Sequence, residues 1–514
     1  MDYALALASG ALLALSFPKF GHPAFGWIAL APLLVAVLPR TNRSLARAFG
    51  LGLTAGSVYF VGTLYWITRV MVVYGGLQTW VAILVNALLV AYLALFPALF
   101  AVVMRRLLIV YGARVLMAAP LVWVATELGR THIFGGFPWV LLGYSQVTTL
   151  PVAQLASLVG VYGVSALAAS VSAAAAITVA TRSRRDRSVA IGLVALFLLA
   201  ITVWGSVRVS RGELTRAGEP IQIGLIQGNV DQADKNLAGR AASIFQDYLR
   251  MTRQAIGSGA ELVIWPESSI PFMFNEDRPA AEQVRALTRQ ARVPILLGSD
   301  EVEWRQDEKG RRVPEKFYNS AFLVPPDNGR AAVYRKIHLV PFGEFVPFRD
   351  LLFFAAPLVE AVGGGFVGGT EATLLPVGRH SLSVAICYEI VYPDLVRQFV
   401  KGGSELLTTI TNDAWFGTTS APYQHFAQAS MRAIENGRYL VRSANTGISG
   451  AVDPYGRVLA QTGIFEPAVT VSTVRFLDGA TIYSQVGDVF ADASAIITLM
   501  MLVLVGRRNT MTGN

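Results

Sequence analysis

Two kinds of hydrophobic pattern divide the chain. Long, almost unbroken apolar runs fill most of the first 206 residues, and one more lies near the C-terminus. They predict helices at about 3–17, 25–38, 48–68, 79–103, 114–128, 152–180, 189–206 and 486–505. A membrane-crossing helix needs about 20 apolar residues, so the first, second and fifth runs are either completed by neighbouring residues or packed as half-spans. The pattern predicts an α-helical membrane bundle of about eight spans, seven in 1–206 and the last in 486–514.

Residues 207–485 alternate instead between short apolar runs and amphipathic runs. Apolar runs of strand length occur at 221–226, 261–265, 293–297, 321–324, 381–386 and 406–410. Helical periodicity with charge on one face occurs at 242–256 and 279–291. The turn sequence Asp327-Asn328-Gly329 precedes a further strand at 331–334. Strands that alternate with helices indicate an α/β domain outside the bundle.

The composition agrees with a membrane protein. Hydrophobic residues make up 53% of the chain and charged residues only 15%, whereas soluble domains average about 25% charged residues. The net charge of +9 could suggest nucleic acid, but that interpretation needs a basic face on a soluble domain. Many of the arginines lie instead between apolar runs. We therefore expect no nucleic-acid partner.

The loop arginines predict the orientation of the bundle. One set of alternate loops is rich in arginine, and its members are Arg40, Arg43, Arg47, Arg105, Arg106, Arg114, Arg182, Arg184, Arg185, Arg187, Arg507 and Arg508. The opposite short loops hold only Lys19, Arg69 and Arg130. Positively charged loops stay in the cytoplasm. Both termini are therefore expected in the cytoplasm, and residues 207–485 on the other side of the membrane.

Candidate chemistry lies where predicted strands end. Pro266 stops the apolar run 262–265, and Glu267 follows it; open α/β sheets bind ligands at the carboxyl ends of their strands. Lys336 follows a short strand, and Glu344 comes eight residues later in a Pro/Gly-rich loop. Each of these residues could instead be a solvated surface charge. His338 between them is more typical of a packing histidine than of a base.

Cys387 is the single cysteine of the chain, and it directly follows the strand 381–386. One cysteine excludes an internal disulfide and a multi-cysteine metal site. A lone cysteine is often an inert buried thiol, but a strand that turns sharply at a nucleophile exposes the sulfur and aims the next backbone N–H at a developing oxyanion. A further stretch, Asn412-Asp413-Ala414-Trp415-Phe416, follows another buried strand and would line the same edge.

The order of these stretches resembles the nitrilase superfamily over about residues 220–475. In chain order they read Trp-Pro-Glu, Arg-Lys-x-His-Leu-x-Pro-Phe-Gly-Glu, Cys-Tyr-Glu and Asn-Asp-Ala-Trp-Phe. The resemblance implies a four-layer αββα sandwich with Glu267, Lys336 and Cys387 as the catalytic set. It further implies supporting roles for the active-site residues Glu344, Tyr388, Glu389 and Trp415.

With eight predicted spans around it, the chain is similar to the apolipoprotein N-acyltransferases. This wider resemblance includes Phe17-Pro18 and the loop Gly135-Gly136-Phe137-Pro138-Trp139. It implies a multi-pass protein of the bacterial inner membrane with a periplasmic catalytic domain. The donor would be a phospholipid such as phosphatidylethanolamine, and the acceptor the free amine of a diacylglyceryl-cysteine on an apolipoprotein. No metal, ATP or acyl-CoA would be needed.

The implied mechanism passes through a thioester on Cys387. Glu267 would act as general base, and Lys336 with the Tyr388 N–H would stabilise the oxyanion. Glu344 would either hold Lys336 or handle the proton of the incoming amine, and Glu389 would support the site. A membrane-tethered amidase or hydrolase of the same superfamily is the alternative. A transporter is a more distant one, since few ionisable residues lie within the spans.

A mobile lid is also predicted. The apolar run 351–359 precedes a glycine-rich stretch at 363–369. An apolar segment beside a flexible hinge can dip into lipid. The alternative is a loop packed on the core.

Overall fold

The computed structural model describes residues 1–39, 44–235, 237–327, 329–346 and 365–511. Its N-terminal part is helical, and every predicted apolar run there contains a helix. The helices are α1 (Asp2–Ala14), α2 (Pro23–Ile28), α3 (Ala31–Ala36), α4 (Leu45–Leu64), α5 (Trp66–Val73), α6 (Thr79–Tyr111), α7 (Ala119–His132), α8 (Leu150–Ala153), α9 (Ala156–Ala180) and α10 (Arg184–Arg211).

The second half contains twelve strands and seven further α-helices among the described residues. The strands are β1 (Pro220–Gln227), β2 (Leu262–Ile264), β3 (Ile295–Gln306), β4 (Arg312–Val324), β5 (Ala332–Arg335), β6 (Leu375–Val377), β7 (His380–Ile386), β8 (Leu406–Thr411), β9 (Leu440–Ala444), β10 (Gly450–Val452), β11 (Val458–Gln461) and β12 (Ala468–Arg475). The helices are α11 (Gln232–Lys235), α12 (Ala238–Gly257), α13 (Arg278–Ala291), α14 (Pro393–Lys401), α15 (Ala421–Asn436), α16 (Ile482–Val486) and α17 (Val489–Met511).

Five of the described helices, α4, α6, α9, α10 and α17, are long and apolar enough to cross a membrane. The predicted short runs are indeed short: α1 has 13 residues, α2 and α3 six each, and α7 has 14. The number of spans therefore stays a prediction. Large apolar side chains such as Leu193, Leu196 and Phe197 on α10 are exposed. An apolar helix surface of this kind is suited to lipid.

Two six-stranded sheets form the core of the second half. The outward sheet has the order β12-β1-β2-β3-β4-β5, and the docked sheet has the order β11-β10-β9-β8-β7-β6. The neighbours β1, β2 and β3 are parallel, and so are β7, β8 and β9. The remaining pairs in both sheets are antiparallel. Each sheet thus has a parallel centre whose strands end at one edge.

The two sheets stack face to face between helical layers, which confirms the αββα sandwich. Helices α12 and α13 cover the outward sheet and share an apolar cluster with it. Helices α14 and α15 cover the docked sheet, and α15 also packs against α9 of the bundle. The apolar core of the docked sheet is continuous with that of the bundle. The sandwich is therefore packed onto the membrane helices and not merely tethered to them.

The β3–β4 hairpin is longer than the hydrophobic pattern predicts. The sequence marks only 293–297 and 321–324, whereas the paired strands run to Gln306 and from Arg312. The additional residues are mostly polar, and those nearest the turn are exposed or half-buried, so no apolar alternation marks them. Most of the predicted lid, including all of 351–359, lies outside the described residues.

Candidate functional site

The predicted site residues meet at the carboxyl edge of the parallel strands. Glu267 follows β2 and Lys336 follows β5 in the outward sheet, whereas Cys387 follows β7 in the docked sheet. Asn412 and Asp413 follow β8. Since the two sheets stack, these loops face one another across the sandwich. The site is built from both sheets.

A buried ammonium lies between two carboxylates. Lys336 Nζ is 2.9 Å from Glu344 Oε1 and 3.5 Å from Glu267 Oε1, and the lysine side chain is only 1% exposed. The side-chain amide of Asn319 donates to the same two oxygens, at 2.8 Å to Glu267 and 3.0 Å to Glu344. The Asn412 N–H donates to the second oxygen of Glu267 at 2.9 Å. Both carboxylates are therefore held in fixed positions.

The charge on Lys336 is stabilised by this arrangement. Burial alone lowers the pKa of Lys336, but the carboxylates of Glu344 and Glu267 outweigh burial and raise the pKa above its ordinary value. A cation that stays charged in a low-dielectric site can stabilise negative charge that develops beside it. Lys336 is therefore suited to bind an oxyanion and unsuited to act as a base.

The Cys387 thiol is held in its protonated form. Burial raises the pKa of Cys387 above its ordinary value, the Glu267 charge raises it further, and Lys336 lowers it. Cys387 itself has a φ of 53°, a left-handed conformation that costs a non-glycine residue about 1 kcal/mol or more. The strand turns sharply there, as the nucleophile-turn interpretation predicts, but Cys387 is buried, so the prediction of an exposed sulfur is wrong.

Glu389 joins the cysteine loop to the lysine loop. Its Oε2 accepts the Ile386 N–H at 2.7 Å. Its Oε1 accepts the Tyr334 hydroxyl at 2.8 Å and the N–H groups of Ile337 and His338 at 2.6 and 3.0 Å. Burial raises the pKa of Glu389 to about 7. One side chain thus sets the spacing between the loops that carry Cys387 and Lys336.

Tyr388 and Trp415 contact the bundle instead of the charged cluster. The Tyr388 ring stacks on Trp139 at 6.5 Å and lies 6.2 Å from Phe137, both in the loop that the family resemblance singles out. Trp415 packs edge-on against Tyr74 at 4.9 Å. His338 stacks on Tyr392, a packing role. An aromatic surface therefore separates the site from the membrane helices.

A second buried cluster, formed by His425, Asp413 and Arg442, contacts the backbone of Cys387, and the sequence did not predict it. His425 Nε2 is 3.1 Å from the Cys387 carbonyl oxygen. His425 Nδ1 lies 3.1 Å from Asp413 Oδ1 and 3.0 Å from Arg442 Nη2. Arg442 also donates to Asp413 Oδ2 at 2.7 Å. Asn319 was missed as well, because it lies inside a strand with no motif around it.

The arrangement supports acyl chemistry through sulfur. It offers a nucleophilic atom, a carboxylate within electrostatic range, a fixed cation and a turn that presents a backbone N–H. Among the described residues, no group of three or more His, Cys, Asp or Glu side chains could hold a metal ion.

Comparison with known proteins gives the family. Residues 9–174 match the apolipoprotein N-acyltransferase N-terminal domain, and residues 222–480 match the carbon-nitrogen hydrolase domain. An apolipoprotein N-acyltransferase of Geobacter metallireducens is 39% identical over 513 residues, which is 99% of this chain and 96% of the relative. One from Methylococcus capsulatus is 35% identical over 94% of this chain and 92% of its own length.

Among solved structures, an amidase from Nesterenkonia sp. AN1 is 21% identical with a TM-score of 0.39, covering 53% of this chain and 98% of its own. The curated relatives match both halves of the chain together, the helical bundle and the sandwich alike. On that full-length similarity, the chain belongs to the apolipoprotein N-acyltransferase family.

Proposed function

We propose that this membrane protein transfers a fatty acyl group from a phospholipid to the α-amine of a lipoprotein's N-terminal diacylglyceryl-cysteine, through a thioester on Cys387. Phosphatidylethanolamine is the proposed donor. Family membership supports the acyltransferase activity and a lipoprotein acceptor. The observation that carries the proposal is the meeting of Cys387, Glu267 and Lys336 at one strand edge that is packed on membrane helices.

In the first half-reaction, the sulfur attacks the ester carbonyl of the phospholipid. The raised pKa of Cys387 means that the proton leaves during the attack, and Glu267 accepts it. The C–S bond forms, and the oxyanion is stabilised by Lys336 and the Tyr388 N–H. The C–O bond then breaks, and Glu267 returns the proton to the leaving alkoxide. A lysophospholipid departs and the thioester remains.

In the second half-reaction, the amine of the acceptor attacks the thioester carbonyl. Glu267 takes a proton from the amine as the C–N bond forms, and the same cation and N–H stabilise the second oxyanion. The C–S bond breaks and the sulfur regains its proton. Glu344, 2.9 Å from Lys336 Nζ and also bound by the Val340 N–H at 2.7 Å, holds the cation in place during both steps. Glu389 has the same positioning role for the cysteine loop.

We further propose an inner-membrane orientation with both termini in the cytoplasm. The arginine-rich loops support this orientation, because the contacts of their arginines gather at one end of the bundle. Arg105 also lies within electrostatic range of both Asp2 and Arg47. These contacts are Arg47 with Asp2 at 2.9 Å, Arg114 with Asp186 at 3.2 Å, and Arg508 over the Tyr111 ring at 5.1 Å. Arg40 and Arg43 lie outside the described residues.

The other end of the bundle faces the sandwich. Lys19 lies 5.7 Å from the ring of Tyr423 on α15, and Arg130 donates to the Trp139 carbonyl at 2.7 Å. The positively charged end is thus opposite the catalytic half, as a periplasmic catalytic domain requires. The proposed units are the bundle 1–206, the catalytic domain 207–485 and the final helix with its tail, 486–514.

Product analysis tests the proposal and separates it from hydrolysis. The purified protein is incubated with phosphatidylethanolamine carrying a labelled acyl chain, with and without a diacylglyceryl-cysteinyl peptide. The expected products are the N-acylated peptide and an equal amount of lysophospholipid. A tethered hydrolase would release free fatty acid at the same rate with or without the peptide, which would contradict the proposal. Replacing the donor with phosphatidylglycerol tests the head-group assignment.

A further inference from the structure

We propose that His425 is a positioning residue that aims the Tyr388 N–H at the oxyanion by holding the Cys387 carbonyl. The inference rests on the proposed function, in which that N–H is one of the two oxyanion donors. It begins with the peptide group between Cys387 and Tyr388. In a planar trans peptide, the C=O and N–H bonds point in opposite directions. Any contact that fixes the carbonyl therefore fixes the N–H as well.

The carbonyl of this peptide is held by one buried side chain. His425 Nε2 lies 3.1 Å from the Cys387 oxygen, and the histidine is fully buried. A carbonyl oxygen can only accept, so the Nε2 atom carries the proton and donates. This pulls the carbonyl toward α15, and the N–H points the opposite way. Without the contact, the left-handed turn at Cys387 would lose one of the interactions that over-determine it.

The tautomer of His425 is set by two charged neighbours. Burial and the Arg442 guanidinium lower the pKa of His425, although Asp413 raises it, so the ring is neutral. With the proton on Nε2, the Nδ1 lone pair accepts from Arg442 Nη2 at 3.0 Å. Asp413 Oδ1, which lies 3.1 Å from Nδ1, accepts from the Thr411 hydroxyl at 2.9 Å instead. Arg442 in turn is held by Asp413 Oδ2 at 2.7 Å. The Arg442–Asp413 pair thus keeps a donor facing the Cys387 carbonyl.

The ring plane of His425 is also fixed by packing. Trp139 lies 5.4 Å from it and Phe416 lies 6.2 Å away, edge-on. His425 is far in sequence from the charged cluster of Glu267, Lys336 and Glu344. Among the described hydrogen bonds, its contact with Cys387 is made to the backbone oxygen of the cysteine and not to the sulfur. Its predicted effect is therefore on oxyanion stabilisation and not on the reactivity of the sulfur itself.

Two reactions of the same sulfur separate these effects. The burst of nitrophenolate from p-nitrophenyl butyrate requires attack on a carbonyl, and so requires the oxyanion site. Alkylation of Cys387 by iodoacetamide displaces iodide directly and forms no oxyanion. For H425L we expect the burst rate to fall about 10- to 100-fold, a fraction of the loss seen when an oxyanion donor is deleted. The alkylation rate should stay within about twofold of wild type, since the thiol is unchanged.

The conservative variant H425Q provides the rescue, because its side-chain amide can place an N–H close to the position of Nε2. We expect it to recover most of the lost burst rate. If H425L fails to fold, as judged by its thermal transition in detergent, H425M is the second donor-free variant. A donor-free variant with a wild-type burst rate would overturn the proposal. So would an equal loss in both reactions, or a folded H425Q as slow as the donor-free variant.

These outcomes are distinguishable from failure of the proposed function. The nitrophenyl ester needs neither phospholipid nor lipoprotein, so a wrong donor assignment leaves the burst intact and His425 testable. A wild-type protein that neither releases nitrophenolate nor gains a butyryl group on Cys387 would instead contradict Cys387 as the acyl acceptor, which overturns both proposals.

Discussion

The two sheets of the catalytic half carry different parts of the site and meet different surroundings. The outward sheet supplies Glu267 and Lys336 and is covered by amphipathic helices such as α13. The docked sheet supplies Cys387 and is covered by α15, nearly every residue of which is buried beneath the bundle. The general base and the oxyanion-binding cation thus come from the sheet whose covering helices face water, and the sulfur comes from the sheet that is packed on membrane helices.

The ion pairs on the helices that cover the two sheets differ in their exposure to water, as the surroundings of the sheets do. On α13, Arg289 and Glu282 are 2.6 Å apart, and their side chains are 35% and 56% exposed. On α15, Arg432 and Glu435 are 3.2 Å apart and fully buried. Exposed pairs contribute little to stability, whereas a buried charge that loses its partner is costly. The helix α15 that covers the docked sheet therefore depends on complete pairing, and the helix α13 that covers the outward sheet does not.

Removing the lysine charge should have the largest effect on turnover. K336M takes away the cation between Glu267 and Glu344 and leaves two carboxylates facing each other. We expect acyl transfer to fall about 10³-fold, the scale of losing a strong oxyanion donor. The matched control is K316M, because Lys316 is 42% exposed and lies 4.0 Å from its partner Glu303. Equal activity of the two variants would contradict the role given to Lys336.

Breaking the buried ion pair should have the largest effect on stability. E435A leaves the Arg432 guanidinium without its carboxylate and also removes the acceptor of the Val161 N–H at the break in α9. We expect the free energy of unfolding to fall by about 3–5 kcal/mol. The measurement is denaturant-induced loss of tryptophan fluorescence in detergent. A change too small to measure would show that α15 is not held to the bundle as described.

A pH prediction follows from Glu389, which connects the two halves. Its pKa is raised from 4.5 to about 7 by burial, so the native state keeps a proton that the unfolded chain releases within this window. The free energy of unfolding therefore declines as pH rises from about 4.5 to 7 and flattens above. E389Q cannot titrate, so its thermal midpoint should decline less than that of wild type. Parallel curves for the two proteins would contradict this assignment.

The smallest effect is expected from the exposed pair of the outward half. E282A removes the carboxylate partner of Arg289 at the surface of α13, where water replaces the contact. We expect turnover within about twofold of wild type and an unchanged thermal midpoint. A loss as large as that of E435A would remove the distinction between the two halves.

The sequence predicted site residues where a feature of the adjoining chain marks the residue. Glu267 is marked by the proline that ends its strand, and Cys387 by being the single cysteine at the end of an apolar run. The alternation of strands and helices predicted the α/β domain for a similar reason, whereas the four-layer sandwich was implied by the resemblance to the nitrilase superfamily. Burial of each strand between two layers leaves a near-continuous apolar run in the sequence.

The parts that could not be predicted depend on pairing across the fold. Asn319 reaches Glu267 because β4 pairs with β3, and the two residues are 52 positions apart. His425 lies in a helix that is buried on all sides, so no polar stripe sets it apart. The hairpin of β3 and β4 projects beyond the core with polar strands. None of these features leaves a periodic pattern in the sequence.

The most direct test of the central claim is the mass of the intact protein after incubation with phosphatidylethanolamine alone. The account predicts an increase equal to one acyl group, located on Cys387 by peptide mapping and absent from C387A. Adding the diacylglyceryl-cysteinyl peptide should remove the adduct as the N-acylated peptide forms. An adduct that persists in C387A, or acyl transfer by C387A at the wild-type rate, would contradict it.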